Sequence, residues 1–111
     1  MLKLSEAQLA ELAHLETLQF LAEVRKKIVT EFPEYADDRN LDTRLEQAHR
    51  HALTLGFQDG PSITQFLYYE AFAPGFYRQA AINAWLTKPG YPVEQRLADL
   101  VAQMTSTLKG Y

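Results

Sequence analysis

Apolar residues recur every three or four positions along most of the chain, and nowhere do they alternate as in a β-strand. A stripe of this kind predicts a helix over residues 41–55, and the clearest one predicts a last helix that starts at Pro92. The stripe of the last helix comprises Val93, Leu97, Leu100, Val101, Met104 and Leu108. The pattern indicates an all-α protein.

The first predicted helix is the longest. Ser5 and Gln8 have the spacing of a capping box, in which the two residues satisfy each other's backbone N–H groups. Its broad apolar face comprises Phe20, Leu21, Val24, Ile28 and Phe32. Pro33 disfavours helical geometry at the preceding residue, so the helix should end there after about 26 residues, or nearly 40 Å at about 1.5 Å per residue. A polar connector over residues 34–40 should follow.

Glycine and proline divide the rest of the chain into helices. Gly56 stands where a glycine ends a helix, and Pro61 suits the start of a third helix over residues 61–73. Pro74 and Gly75 break that helix, and a fourth should run over residues 76–86. We therefore expect one domain, residues 1–111, built as a bundle of about five helices. The first and last helices should pack against each other, since both carry broad apolar faces.

Aromatic residues are concentrated in one segment. Seven of the thirteen lie between Phe66 and Trp85: Phe66, Tyr68, Tyr69, Phe72, Phe76, Tyr77 and Trp85. A helix that is apolar on all sides is either the buried centre of a domain or one that offers a face to a partner. Both interpretations stay open. In the second, the residues that bind the partner would be Tyr69, Phe72, Phe76 and Tyr77, because aromatic residues are favoured in protein interfaces.

Composition and charge indicate what class of partner the protein binds and where in the cell it is located. The formal net charge is −3, whereas nucleic-acid-binding domains usually carry a basic excess. The chain has no cysteine, no stretch approaching the roughly 20 apolar residues of a membrane span, and an acidic start unlike a signal peptide. We expect a cytoplasmic protein whose partner is another protein rather than nucleic acid or a membrane.

Two Glu-x-x-His pairs raise the possibility of a metal site. Di-iron bundles combine two such pairs with two further glutamates, and the candidates here are Glu11, His14, Glu46, His49, Glu70 and Glu94. However, Glu46 lies about 140° from the apolar stripe of its helix at 100° per residue, so it should point away from the interior. We therefore expect no bound metal or other cofactor. Because the chain also has no nucleophile elbow and no phosphate-binding loop, nothing in it predicts an enzyme.

Glu70 is the most unusual single residue, since its helical angle places it close to Ile63, on the inward side. Because burying a lone carboxylate is costly, Glu70 should be exposed at the rim of the helix, protonated, or paired, and the candidate partners are Arg50, Arg78 and His49. His49 and His51 are two residues apart, so they should point to different sides of their helix, one packed at the edge of the stripe and one in water.

Several short motifs resemble a group of small helical proteins encoded in bacterial type VI secretion clusters, beside spike and effector genes. They include residues 31–34 (EFPE), residues 52–57 (ALTLGF), residues 63–72 with Tyr68, Gly75-Phe76, Trp85 and residues 96–100 (RLADL). The resemblance implies an adaptor or chaperone-like role in loading secreted effectors, and no catalytic residues. Two alternatives remain open: an immunity protein that blocks a toxin, and a helical metal-binding enzyme.

Overall fold

A 26-residue helix, α1 (Glu6–Glu31), begins at the predicted capping box. In the computed structural model, which describes the backbone of residues 5–109 and the side chains of residues 5–103, Ser5 Oγ accepts the Gln8 N–H at 3.2 Å. Gln8 Oε1 in turn accepts the Ser5 N–H at 2.8 Å. Two of the N–H groups that the helix start leaves unpaired are thus satisfied, which confirms the predicted start of α1.

Part of the predicted polar connector over residues 34–40 is itself helical. Residues Pro33–Asp37 form a 3-10 helix, with Pro33 in its first turn. Proline lacks the N–H that a helix start leaves unpaired, so the residue that ends α1 also begins the next helical turn. Arg25 Nε lies 2.7 Å from Asp42 Oδ1, which links α1 to the start of the following helix.

Four more α-helices follow: α2 (Leu41–Leu55), α3 (Gly60–Phe72), α4 (Ala80–Leu86) and α5 (Val93–Lys109). The bounds of α2, α3 and α5 agree closely with the prediction. Helix α3 starts one residue earlier than predicted because Asp59 caps it, and Asp59 Oδ1 accepts the Ser62 N–H at 2.7 Å. Gly56 has a φ of 102°, a conformation that favours glycine, which confirms its role in ending α2.

The predicted fourth helix is interrupted. Its first residues form a separate 3-10 helix, Phe76–Arg78, and Gln79 then adopts an extended conformation with φ −64° and ψ 134°. Gln79 is the N-cap of α4, so the chain leaves helical geometry for one residue and then re-enters it. The prediction of one continuous helix over residues 76–86 was therefore wrong.

The protein is all-α, as predicted: five α-helices and two 3-10 helices account for its regular structure, and no strand occurs between residues 5 and 109. The chain divides into two compact units, residues 1–42 and residues 43–111, with the division inside α2. In the first unit Leu21, Val24, Ile28 and Leu41 are buried.

The core of the second unit is largely aromatic. Phe66 on α3 is fully buried, and its ring centroid lies 5.3 Å from that of Phe57, 5.1 Å from that of Phe76 and 5.3 Å from that of Tyr77. Aliphatic side chains from α2, α3, α4 and α5 are also buried, among them Leu45, Ala48, Ala52, Leu67, Leu86 and Leu97. In the predicted stripe of α5, Leu100 and Val101 are half-buried, and the side chains of Met104 and Leu108 lie outside the described residues.

Candidate binding surfaces

The four aromatic residues predicted to bind a partner do not form one surface. Phe76 and Tyr77 are buried, Tyr69 is half-buried, and Phe72 is 42% exposed. The left-handed conformation of Gly75, with φ 73°, precedes the 3-10 helix whose Phe76 and Tyr77 rings both contact Phe66. The core interpretation thus describes most of the segment, and Phe72 is its most accessible aromatic residue between Phe66 and Tyr77.

Glu70 is buried rather than exposed at the rim of its helix, and its hydrogen-bond partner is not one of the predicted side chains. Only 2% of Glu70 is exposed, and its Oε2 accepts the backbone N–H of Gly75 at 2.8 Å. Arg44 Nη2 donates to the main-chain oxygens of Glu70, at 2.6 Å, and Ala71, at 3.2 Å. The Glu70 carboxyl group therefore stabilises the turn that follows α3. Arg44 could not be identified from the sequence, because only tertiary packing brings it to the end of α3.

Burial raises the pKa of Glu70, although the Gly75 N–H bond and the charges of Arg44 and Arg78 act in the opposite direction. A raised pKa means that the folded protein favours the protonated carboxyl group. The contribution of Glu70 to stability is then fully present below its ordinary pKa of 4.5, and it is lost as the pH rises through the raised value.

Two substitutions at Glu70 test this description. Glu70→Ala should lower the free energy of unfolding by about 1–3 kcal/mol, because it leaves the Gly75 N–H without its acceptor. Glu70→Gln should cost less, since an amide oxygen can accept the same bond. Urea unfolding at a series of pH values measures both effects. The stability of Glu70→Gln relative to wild type should increase as the pH rises above 4.5, and a constant difference would contradict the raised pKa.

The most exposed apolar surface lies on the N-terminal half of α1. It consists of four leucines, each 43–52% exposed: Leu9, Leu12, Leu15 and Leu18. We call this set the leucine surface. At about 100° per residue these leucines turn around the half of α1 opposite to Leu21, Val24 and Ile28. The sequence analysis did not single them out, although their regular spacing of three residues is a visible signal.

The surroundings of the leucine surface are acidic. Residues 6–24 contain four glutamates, Glu6, Glu11, Glu16 and Glu23, and neither lysine nor arginine. All four glutamates are exposed. A partner that covered the leucines would thus meet a negatively charged rim around an apolar centre.

A second surface feature is a shallow cationic groove between α2 and the second 3-10 helix. It has a volume of about 310 Å³ and is lined by Gln47, Arg50, His51, Thr54, Tyr77 and Arg78. The His51 ring stacks on Tyr77 with centroids 4.5 Å apart, and Arg78 Cζ lies 5.3 Å from the Tyr77 centroid. None of the six lining residues is acidic.

One of the two histidines is packed, as predicted, but the other is not in water. His49 is buried, and burial lowers its pKa. His51 was expected to be in water if His49 was packed, but it is half-buried because Tyr77 covers one face of its ring. Burial, and then the charge of Arg78, lower the pKa of His51. Both histidines therefore favour the neutral form in the folded protein.

The candidate metal ligands have other neighbours. Glu46 Oε1 accepts from Arg50 at 3.2 Å, Glu94 Oε1 accepts the Gln58 N–H at 2.9 Å, and Glu11 and His14 are exposed on α1. Among the described residues, no three histidine, aspartate or glutamate side chains are grouped so that they could hold a metal ion.

Comparison with protein-family models, with curated proteins and with solved structures finds no match to this chain. In the part of the chain that the structure describes, no helix is long and apolar enough to cross a membrane.

Proposed function

We propose that this chain is a non-enzymatic accessory module that binds another protein through the leucine surface of α1. The observation that supports this most directly is the exposure of four large apolar side chains within ten residues of one helix. Contiguous apolar patches on a protein surface commonly mark sites of association, because their burial removes apolar area from water.

The chemistry of the leucine surface indicates what kind of partner would bind it. Its interface should have an apolar groove or helix face that receives the leucines and a rim of lysine and arginine that faces Glu6, Glu11 and Glu16. The resemblance to accessory proteins of type VI secretion clusters makes this partner an effector or spike component, bound in the cytoplasm before secretion. An adaptor or chaperone-like role follows from that resemblance.

An immunity protein that blocks a toxin is the second candidate, and the acidic rim favours it for one class of toxin. A nuclease that binds phosphate backbones carries a basic surface, which would complement the four exposed glutamates of α1. The identity of the bound partner separates the two functions: an effector or spike component favours the adaptor role, and a toxin that the chain inhibits favours the immunity role.

The leucine surface can be tested with the double variant Leu12→Ser/Leu15→Ser. Both side chains are exposed, so the variant should fold, and circular dichroism checks this. We expect it to lose the protein partner that wild type captures from the native host. Affinity for the purified partner, measured by calorimetry, should fall at least about thirtyfold, since truncating interface hot spots typically costs about 2 kcal/mol or more.

Leu53→Ser is the matched control, because Leu53 is 50% exposed but lies on α2. Equal capture by wild type, the double variant and the control would show that the partner binds elsewhere. If the wild-type chain captures no partner and instead forms oligomers that the double variant does not, the leucine surface is a contact between copies of this chain. Either result would overturn the proposal.

A further inference from the structure

The cationic groove has a composition that contrasts with the rest of the chain. The formal net charge of the protein is −3, yet two of the six lining residues are arginines and none is acidic. The cations come from different elements, Arg50 from α2 and Arg78 from the second 3-10 helix. An arrangement in which the fold brings like charges together at a concavity raises the local concentration of counter-ions.

Neighbouring residues contact the side chains of both arginines. Arg78 is positioned by the Tyr77 ring and by Gln47, whose Oε1 accepts from Arg78 Nη2 at 3.5 Å. Arg50 Nη2 donates to Glu46 Oε1 at 3.2 Å on the outer side of the helix. A guanidinium carries five N–H donors, so both arginines retain donors for a ligand.

His51 adds a polar group beside them. Its ring is held against Tyr77, and its Nε2 is buried without a hydrogen-bond partner among the described residues. The hydroxyl of Thr54 also lines the groove and can donate or accept. The wall thus combines two arginines, one of them in an exposed ion pair with Glu46, with the imidazole of His51 and the hydroxyl of Thr54.

We propose that this groove binds an oxyanion, either a carboxylate or a phosphate group. Guanidinium groups match the planar geometry of a carboxylate and the oxygens of a phosphate with paired, charge-assisted hydrogen bonds. The volume of about 310 Å³ fits such a group and a short attached segment, rather than a polymer. The inference is independent of the leucine surface, which belongs to a different helix.

The oxyanion has two possible sources, a free inorganic anion or an acidic side chain of a peptide, and two probes distinguish them. Sodium phosphate and an acetylated triglutamate peptide are titrated separately into the isotope-labelled protein at low ionic strength, where charge interactions are least screened. Amide chemical shifts identify the residues affected. We expect saturable shifts at Arg50, His51 and Arg78, and the probe that binds more tightly indicates the source.

Two double variants make the test specific. Arg50→Gln/Arg78→Gln removes both groove cations, whereas Lys27→Gln/Arg39→Gln removes two exposed cations elsewhere, so both variants have the same net charge. The groove variant should bind at least about tenfold more weakly, since it loses charge-assisted hydrogen bonds, and the control should bind as wild type does. Equal weakening in both variants, or no saturable shift with either probe, would overturn the proposal.

Discussion

Phe66→Ala is expected to lower the free energy of unfolding by about 3–5 kcal/mol, because it removes the ring at the centre of the aromatic core. Phe66 is fully buried, and its ring contacts those of Phe57, Phe76 and Tyr77 at centroid distances of 5.1–5.3 Å. Truncation would leave a cavity that three rigid rings, held by two different segments, can fill only in part. Urea unfolding followed by circular dichroism measures the loss.

Phe72→Ala is the control, since Phe72 is the same residue type on the same helix but is 42% exposed. Its cost should stay below about 1 kcal/mol, as is usual for surface positions. If both substitutions cost the same, Phe66 is not the centre of the core, and the aromatic segment would again have to be considered as a surface.

The helices could be predicted because their signals are local. The capping box at Ser5, the proline that ends α1 and the glycine that ends α2 each act within a few residues of their own position. The three-to-four-residue spacing of apolar residues also predicts which face of each helix is apolar. The bounds of α2 therefore agree with the prediction at both ends.

The orientation of the aromatic residues could not be predicted in the same way. Helical angles show that Tyr68, Tyr69 and Phe72 cannot all face inward, but they do not show that Gln79 breaks the helix after Arg78. The left-handed Gly75 precedes Phe76 and Tyr77, and both rings contact Phe66 on α3, a residue ten or more positions away in the sequence.

The positions of the arginines at the surface could not be predicted either, because they depend on contacts between residues that are far apart in the sequence. Arg44 reaches the end of α3, and Arg50 and Arg78 meet at one groove, although each pair is separated by more than 25 residues in sequence. The leucines of α1 are different, because their spacing is visible in the sequence. That they are exposed is seen only from their solvent accessibility in the structure, because apolar residues of a helix are ordinarily assigned to its inward face.

Arg96→Ala should lower the free energy of unfolding by about 2–4 kcal/mol, from a lost charge-assisted hydrogen bond and two lost cation–π contacts. Arg96 is buried between two rings, with its Cζ 4.6 Å from the Trp85 centroid and 4.9 Å from the Tyr91 centroid. Its Nη2 donates to Pro89 O at 2.9 Å, and its main-chain oxygen accepts from Trp85 Nε1 at 2.8 Å. The side chain thus joins α4, the turn after it and α5.

Trp85 is the only tryptophan in the chain, so its fluorescence reports directly on this contact during urea unfolding. Arg96→Met keeps much of the aliphatic stem and should fall between wild type and Arg96→Ala, because the carbonyl of Pro89 loses its donor while the rings keep a neighbour. Burying a charge is itself costly, and an apolar replacement can offset that cost. If Arg96→Met proves as stable as wild type, the guanidinium contributes packing alone, and the hydrogen bond to Pro89 does no more than offset the burial of its charge.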